Sequence, residues 1–446
     1  MLFYSTKRMS LPASFRNALF LGQATDGGLF MSEAIPTISI ADLVAWKKLS
    51  YAELAFVLSK LWLGDSIDDH TLRTAMTRAY DWELPIHRVS ESLHVAELWH
   101  GPTLAFKDFA ARWLGQLVGV FKGEEPLTIL VATSGDTGSA VGSGFLGVPG
   151  VRVIILYPSG RVSHLQEQQL TTFGENVTAV EVQGTFDDCQ RLVKQAFADQ
   201  ELRSRVRMTS ANSINIGRLL PQTFYYVWSY LRTVAHVGDL VDFCVPSGNV
   251  GNLTAGLIAK HMGLPVRRFI AAVNQNTPLL DFLRTRTYTP RSSIATLSNA
   301  MDVGNPSNIV RIFDLYADDV NSAAAPDNVD IEKLREDVWG MSVDDATTRQ
   351  TIKKVFADHE YIIDPHTAVG WAAIEEYKKD HDADIPMILM STAHPAKFLD
   401  IVEGVIGKGC VQIPSQLAQA AQKKKQSITI DASYERLRAI MASVQW

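Results

Sequence analysis

A lysine set among apolar and aromatic residues is the first candidate for chemistry in this chain. Lys107 lies in the stretch LWHGPTLAFKDFAARW, residues 98–113. A long amphipathic side chain usually buries its stem and leaves its charge in water. A lysine that cannot do so has a depressed pKa and becomes a nucleophile that can form a Schiff base. The local sequence alone favours the solvated alternative, because Asp108 follows directly.

A glycine-containing turn, PSGNVGN at residues 246–252, is the second candidate. It follows an apolar stretch that predicts a strand and precedes one that predicts a helix. Glycines in such a turn let backbone N–H groups converge, and the start of a helix favours negative charge, so the turn could bind a phosphate. The alternative is a tight strand-to-helix turn with no ligand. The spacing matches neither a Walker A loop nor the GxGxxG dinucleotide pattern.

A turn rich in hydroxyls, ATSGDTGSA at residues 132–140, has the same setting. Ser134, Thr137 and Ser139 lie within six residues. Hydroxyls and free N–H groups at a helix start suit a carboxylate or a phosphate. The alternative is ordinary N-capping by Ser134 or Thr137. One cap needs one hydroxyl, so three of them favour a ligand.

A last strand runs into MSTAHPAKF, residues 390–398, and places Ser391 and Thr392 at its carboxyl end. Ligands of open α/β sheets bind beyond such ends. Taken alone, this stretch favours a plain turn before Pro395. Together, the four stretches provide a lysine for a Schiff base, a phosphate turn, a hydroxyl turn for a substrate anion and a hydroxyl for a ring nitrogen. Those are the requirements of pyridoxal phosphate.

The elements around these residues predict an α/β fold. Apolar strands alternate with helical stretches in two series, near residues 126–212 and 240–400, which indicates two open, mostly parallel twisted sheets with flanking helices. The first 90 or so residues predict a helical segment, as in LSYAELAFVLSKLWL. Gly174 is the expected C-cap of the helix HLQEQQLTTF, and Thr185 or Asp187 is the expected N-cap of the helix that follows the third strand of the first series.

Composition limits the classes of function. A chain of 446 residues is long enough for two or three domains, and its 46% hydrophobic and 20% charged residues suit a packed protein. The net charge of −6 argues against nucleic acid as the main partner. The three cysteines form no CxxC pair, which predicts neither a metal site nor a disulfide framework and fits a reducing cytoplasm. The apolar runs are too short to span a membrane.

Nearly the whole chain resembles the threonine synthase family, which belongs to the fold-type II (tryptophan synthase β-like) pyridoxal-phosphate enzymes. The matching stretches are YSTKR, SFRNALFLGQATDGGLFMSEAIP, HGPTLAFKDFAARW, ATSGDTGSA, YPSGRVSHLQEQQ, SANSINIGRLLPQ, PSGNVGNLTAG, SNAMDVGNPSNIVRI and STAHPAKF. HGPTLAFKD and SNAMDVGNPSN are highly specific. The resulting prediction is a fold-type II architecture divided into an N-terminal helical segment (1–92), a lysine loop and helix (93–125), a smaller, mobile α/β domain (126–212) and a larger cofactor-binding α/β domain (213–446).

The resemblance also implies roles for individual residues. Lys107 would form the Schiff base, and Thr392 would hydrogen-bond the pyridine nitrogen. The cofactor phosphate would be held by Gly248, Asn249, Val250, Gly251 and Asn252. The loop from Ser134 to Gly138 would face the cofactor oxygen and the substrate carboxylate, with Asp136 among the cofactor-binding residues. The substrate would be bound by Ser134, Thr137, Ser139, Asn212, Ser213 and Arg218. Many wider relatives have Asn where this chain has Asp136, and a carboxylate there would repel the cofactor's phenolate unless it were protonated or hydrogen-bonded.

The implied activity is that of a pyridoxal-phosphate-dependent carbon–oxygen lyase. O-phospho-L-homoserine and water would give L-threonine and phosphate by γ-elimination and β-addition of water. Two alternatives stop at elimination: a phospholyase and a dehydratase. The segment NSINIGR argues against the dehydratase, which has no γ-phosphate to hold. A non-catalytic scaffold would be expected to lose the lysine or the phosphate turn.

Lys107 is the expected carrier of the Cα proton. The candidates for the second proton are His94, His100, His366 and His394. Structural roles are favoured for them, and His100 is retained because it flanks the lysine loop. The expected partner is the small-molecule substrate, and monomer and homodimer both stay open.

Overall fold

The computed structural model describes residues 1–133, 135–381 and 384–443. The strands are β1 (Leu2–Ser5), β2 (Ala13–Ser14), β3 (Phe30–Ser32), β4 (Ile86–Arg88), β5 (Leu93–Glu97), β6 (Leu127–Ala132), β7 (Val151–Pro158), β8 (Val177–Gln183), β9 (Met208–Ser210), β10 (Val241–Pro246), β11 (Val266–Val273), β12 (Val338–Ser342), β13 (Met387–Ser391) and β14 (Ile428–Asp431).

The helices connect these strands and cover the sheets. They are α1 (Phe15–Leu21), α2 (Ile40–Trp46), α3 (Tyr51–Leu63), α4 (Asp69–Ala79), α5 (Lys107–Phe121), α6 (Asp136–Phe145), α7 (His164–Thr171), α8 (Phe186–Ala198), α9 (Gln200–Arg205), α10 (Ile216–Leu219), α11 (Gln222–Thr233), α12 (Gly251–His261), α13 (Pro278–Thr285), α14 (Ile309–Leu315), α15 (Ile331–Asp337), α16 (Asp345–His359), α17 (Pro365–Tyr377), α18 (Leu399–Ile406), α19 (Ser415–Gln422) and α20 (Tyr434–Ser443).

The larger sheet has six strands in the order β12-β11-β10-β13-β5-β4. All of its pairs are parallel except β4 with β5. Every residue of β10 and β13 is buried, which is the pattern of parallel strands covered by helices on both faces. The prediction of a mostly parallel sheet in this part of the chain is confirmed.

The second sheet has five parallel strands in the order β14-β8-β7-β6-β9. Four of them, β6 to β9, follow one another in the chain, and the sequence predicts the first three. Strand β7 is buried along its whole length. Strand β14 returns from the far end of the chain to pair with β8. The range predicted for the larger domain, 213–446, therefore contains a strand of the other sheet, and the division into domains stays a prediction.

The N-terminal segment is helical in α1 to α4, as expected, but it also contains a small antiparallel sheet in the order β2-β1-β3. The sequence does not predict this sheet. Its strands are two to four residues long, and alternation cannot be read over so few positions.

The two predicted helix caps have different outcomes. Thr185 caps α8 with a complete capping box, in which the Asp188 carboxylate accepts from the Thr185 backbone. Helix α7, in contrast, ends at Thr171 with Thr172 as its C-cap. The prediction of Gly174 as the cap is wrong: this residue has φ of +69° and its carbonyl accepts from the N–H of Val177 in the turn that leads into β8. Within the described residues, no helix is both long and apolar enough to cross a membrane.

Candidate active site

Lys107 lies at the first position of α5, beside the carboxyl end of β13. The Phe106 N–H donates to the Thr392 carbonyl at 2.9 Å, and Ala105 forms an antiparallel bridge with Ala393. These backbone bonds fasten the lysine loop to the end of the strand. They bring together two residues that the sequence places far apart and that the predicted site requires as neighbours, Lys107 and Thr392.

The Lys107 amine is mostly enclosed, with 17% of its side chain exposed. Burial lowers its pKa, and the positive charges of Lys397 and Arg218 lower it further, against the opposing effect of Asp136. The nearest carboxylate oxygen, Oδ2 of Asp136, is 3.9 Å from Nζ, beyond hydrogen-bond distance. The solvated alternative for Lys107 therefore does not hold, and the amine is placed to lose its proton.

Asp136 begins α6 and faces two lysines. Burial would raise its pKa, but the ammonium group of Lys397 and the charge of Lys107 hold it below the ordinary range. Nζ of Lys397 lies 2.8 Å from Oδ1 of Asp136, and Nε2 of Gln166 donates to the same oxygen at 3.0 Å. The Asp136 carboxylate is thus ionised and hydrogen-bonded, and the positive charge of Lys397 balances its negative charge.

The glycine turn after β10 has an unusual backbone. Val250, the N-cap of α12, has φ of +49° and ψ of +12°, a left-handed conformation that is costly for a β-branched residue. A Cβ added to Gly248 would lie 2.6 Å from Cα of Met301. The turn therefore needs glycine at 248 and pays strain at 250, and such strain is typical of ligand-binding loops.

Hydrogen-bond donors around this turn have no partner among the described residues. The side-chain nitrogens of Asn252 and Asn308 are buried and unpaired, although the oxygens of both amides are bonded. A buried unpaired donor is costly and usually has a ligand. Asn249 is instead fixed by Ser213 at 2.6 Å and by the Ser307 N–H at 2.6 Å. A neutral turn with unpaired donors at a helix start fits the phosphate of pyridoxal phosphate.

The two hydroxyls at the end of β13 are not equivalent. Ser391 is engaged on both sides, by Trp99 at 3.0 Å and by Thr367 at 2.8 Å. Thr392 is 7% exposed, and its hydroxyl makes no hydrogen bond with the described residues. Thr392 is therefore the hydroxyl that can face the ring nitrogen.

Arg218, in α10, is a buried cation with a hydrogen-bond donor that has no partner among the described residues. One guanidinium nitrogen donates to the Ala211 carbonyl at 2.6 Å, and Nε is buried with no partner among the described residues. Burial lowers the pKa of Arg218 to about 10, so it stays charged at neutral pH. Nearby, the Asn212 side-chain oxygen is also buried and unpaired. The unpaired Nε of Arg218 is thus a donor that a bound anion could satisfy, whereas the Asn212 oxygen needs a donor.

The hydroxyl turn is held by a residue that the sequence does not single out. The Thr133 hydroxyl oxygen accepts from the N–H groups of Gly135 and Gly138, both at 3.0 Å. The cap position of α6 is Gly135, without a side-chain cap, so the predicted cap Thr137 does not fill it. Ser139 is fully buried and donates to the Asp136 carbonyl at 3.1 Å, whereas Thr137 is partly exposed. Ser134 lies outside the described residues.

Two of the four histidines have structural tasks. His366 bonds Asp364 through Nδ1 at 2.6 Å and accepts the Ala300 N–H through Nε2 at 3.1 Å, so both ring nitrogens are used. It thereby fixes the segment that packs on Gly248. His394 accepts the N–H of Ala396 through Nδ1, and burial lowers its pKa to about 4.

His94 and His100 precede the lysine loop in the chain. His94 is in β5, and its Nδ1 is buried without a partner among the described residues. His100 lies 2.7 Å from a carboxylate oxygen of Glu97, whose other oxygen accepts from Tyr361. An imidazole paired with a carboxylate and still partly exposed keeps His100 as a proton-carrier candidate.

Sequence reasoning missed several members of the site. Lys397, Gln166 and Asn308 all lie within stretches that carry the resemblance, STAHPAKF, YPSGRVSHLQEQQ and SNAMDVGNPSN. Each of these stretches matches the family over more residues than those given a role, and that longer match was the signal that could have identified them. Their partners, Asp136 and the glycine turn, are distant in sequence, so the contacts themselves could not be read from spacing.

The comparisons with known proteins agree over the whole chain. A model of the family described as "Pyridoxal-phosphate dependent enzyme" matches residues 70–391, one described as "Threonine synthase N terminus" matches 2–80, and one described as "Threonine synthase, C-terminal" matches 367–441. Threonine synthase of Escherichia coli is 38% identical over all of both chains. Threonine synthase of Saccharomyces cerevisiae is 40% identical over 90% of this chain and 89% of its own.

Solved structures give the same result. The threonine synthase structure from Escherichia coli superposes with a TM-score of 0.89 over 100% of both chains, at 38% identity. A pyridoxal-phosphate-bound threonine synthase from Brucella melitensis superposes with a TM-score of 0.92, covering 99% of this chain and 98% of its own, at 32% identity. The fold-type II architecture predicted from the sequence is confirmed.

Proposed function

The chain belongs to the threonine synthase family of pyridoxal-phosphate-dependent lyases, and we propose that its substrate is O-phospho-L-homoserine. In the proposed reaction, water replaces the γ-phosphate by addition at Cβ, and L-threonine and phosphate are released. The proposal assigns each part of the site to one part of this substrate or of the cofactor.

Pyridoxal phosphate, when bound, withdraws electrons from the carbon next to the substrate nitrogen and makes its hydrogen acidic. Lys107 is the proposed attachment point of the cofactor. The turn at 248–252 and Asn308 would hold its phosphate, because this region has unpaired buried donors and no charged side chain of its own. Thr392 would face the ring nitrogen with a neutral hydroxyl.

The free amine of Lys107 is the proposed base at Cα. Its enclosed position and the cations around it favour the neutral form that can accept a proton. Elimination of the phosphate needs a second proton transfer, at Cβ. His100 with Glu97 is the proposed participant, since the other histidines near the loop use their ring nitrogens in local structure or are kept neutral by burial.

The observation that carries the choice of substrate is Arg218. A charged guanidinium that is 4% exposed, with an unpaired Nε and only the more distant charge of Asp108 acting on it, favours an anionic ligand. A phosphate ester suits its planar donors, and Arg218 already bonds the carbonyl of Ala211, which directly precedes Asn212 and Ser213 in the chain. The hydroxyl turn, with Ser134 and Thr137, is the proposed site for the substrate carboxylate, and Ser139 from the same turn is assigned to the substrate phosphate.

The test is an incubation of the holoenzyme with O-phospho-L-homoserine, in which threonine, 2-oxobutanoate and phosphate are measured together. Equal amounts of threonine and phosphate are expected. Phosphate with 2-oxobutanoate would identify a phospholyase instead. L-homoserine is the matched control without a phosphate, and a similar rate with it would contradict the role given to Arg218.

The remaining assignments concern the context of the enzyme. We propose a cytoplasmic location, in keeping with the few cysteines of the chain. We also propose that the smaller sheet region, 126–212, moves against the larger one when substrate binds. The support is that the site draws Asp136 from the five-stranded sheet region and Thr392 from the six-stranded one.

A further inference from the structure

Two lysines lie close to Asp136, Lys107 and Lys397. The Lys397 side chain is fully buried, with 0% of it exposed. Its Nζ donates to the Thr103 carbonyl at 2.8 Å and lies 2.8 Å from Oδ1 of Asp136. Nothing else in the proposed reaction uses it. A buried ammonium group is costly unless it is paired, so its presence needs a reason.

We propose that Lys397 is a positioning residue of the reaction, which engages the Asp136 carboxylate so that Lys107 can give up its proton. The inference rests on the proposed role of Lys107 as base. A single carboxylate lies between two ammonium groups, 2.8 Å from one and 3.9 Å from the other. It satisfies Lys397 directly and leaves Lys107 without a hydrogen-bonded counterion.

The surrounding charges support this division. Lys107 is faced by Asp136 from α6, by Arg218 from α10, by Lys397 and by Asp108, the next residue on its own helix. Burial raises the pKa of Asp108 to about 6, and Thr103 donates to both of its oxygens, so this carboxylate is occupied elsewhere. Asp136 is therefore the carboxylate that could hold the proton on Lys107, and Lys397 is the group that prevents it.

The pair also explains how the chain tolerates aspartate at this position. The ion pair of Asp136 and Lys397 has no net charge, as an uncharged amide at position 136 would have. The expected functional equivalent is therefore the double substitution Asp136→Asn with Lys397→Met, which is neutral again. Each single substitution leaves one buried charge unbalanced, with opposite sign in the two cases.

The experiment is a pH titration of the visible absorption of the holoenzyme, which reports whether the Lys107 nitrogen carries a proton. In Lys397→Met, the freed carboxylate should stabilise the protonated form, and the midpoint should rise by one pH unit or more, a tenfold change in proton affinity. In Asp136→Asn the midpoint should fall. In the double variant it should return close to the wild-type value. The acidic limb of the pH profile of kcat should follow the same order.

Several outcomes would overturn the inference. Equal midpoints in all four proteins would mean that Lys397 acts only as a structural contact. A midpoint that moves the same way in both single variants would exclude the opposing-charge argument. If Lys397→Met does not fold, the Asp136→Asn and double variants still decide the question. A chain that makes no threonine but shows the predicted shifts would refute the proposed substrate and leave this inference standing.

Discussion

The two strand-turn-helix units at the site, β6–α6 and β10–α12, start from the same local design but carry different chemistry. Both place a turn with glycines at the carboxyl end of a parallel strand. The β10 turn contains no ionisable side chain and ends in Asn252, whose nitrogen has no partner among the described residues. The β6 turn contains Asp136, which is in contact with Lys397 and Gln166.

The β10 turn is suited to binding the cofactor phosphate, whereas the β6 turn is suited to controlling the proton on Lys107. A permanent anion such as a phosphate needs donors and a helix start, and a strained backbone at Val250 keeps those donors in place. A proton that must leave and return needs charges in balance, and these lie around Asp136. Two turns that look alike in sequence thus divide the work of the site, and substitutions in them should fail in different ways.

The largest effect is expected for Lys107→Ala, which removes the amine that the β6 turn regulates. We expect kcat to fall by at least roughly 10⁴-fold, the upper range for loss of a general base, and the visible band of the bound cofactor to disappear. Steady-state kinetics and an absorption spectrum test this. Lys48→Ala, at an exposed position of the N-terminal segment, is the control. Retention of the band and of turnover would remove Lys107 from the mechanism.

The next effect is expected for Arg218→Ala. Loss of a buried charge partner costs about 2–5 kcal/mol, so kcat/KM for the phosphorylated substrate should fall by roughly thirtyfold to several thousandfold. The cofactor spectrum should stay unchanged, because Arg218 faces the substrate. The exposed Arg203→Ala in α9 is the matched control. Unchanged kinetics would exclude Arg218 from the phosphate site.

Gly248→Ala should weaken cofactor binding by the β10 turn and leave the pH dependence of the reaction unchanged. Its new methyl group would lie 2.6 Å from Cα of Met301, and a backbone atom cannot move aside cheaply. A cost of about 1–3 kcal/mol predicts a cofactor Kd raised by roughly ten- to a hundredfold, measured by fluorescence titration. With saturating cofactor, the pH profile should match that of the wild type.

Gly404→Ala is the control for that substitution, because nothing lies within 4 Å of its added Cβ. It should leave the cofactor Kd unchanged. A Kd that rises equally in both variants would show that the close contact at Gly248 does not matter.

The smallest effect is a pH dependence of stability that belongs to the β6 turn alone. The pKa of Asp136 is held below its ordinary value of about 3.9, so its contribution is complete above that value and is lost as the pH falls below it. The Tm difference between wild type and Asp136→Asn should therefore be largest at neutral pH and shrink below about pH 4. A difference in Tm of a few degrees is expected, since 1 kcal/mol shifts Tm by roughly 2–4 °C in domains of about 150–250 residues.

Asp187→Asn is the matched control, because Asp187 is an exposed carboxylate in the first turn of α8. Its Tm difference from the wild type should stay near zero from pH 7 to pH 3. A difference that grows on acidification in Asp136→Asn would contradict the sign derived for the β6 turn.

The sequence predicts the parts of this molecule that are local. Long apolar strands followed by glycine or hydroxyl turns predict both parallel sheets, and the cap at Thr185 follows from a pattern of four residues. Contacts between distant segments are not predicted. The return of β14 to β8 and the ion pair of Lys397 with Asp136 join positions about 250 residues apart, where no periodicity links the partners.

The candidate site divides in the same way. Residue types at strand ends indicate Thr392 and the turn at 248–252, but local sequence points to a solvated Lys107. Only the combination of four stretches favours the buried alternative that the structure bears out. The proton-controlling partners of Lys107 stay hidden because their roles depend on charge balance in three dimensions.

The late position of β14 has a consequence for the chain during synthesis. Strand β8 pairs with β7 on one side and with β14 on the other, in the register Val180 opposite Ile428. Until the ribosome has added β14, the backbone N–H and C=O groups of β8 form an open edge that can pair with another nascent chain. Strand β14 thus pairs with the exposed edge of β8 and closes it. Before that, a chaperone or rapid completion of translation would protect the emerging protein from pairing with another chain.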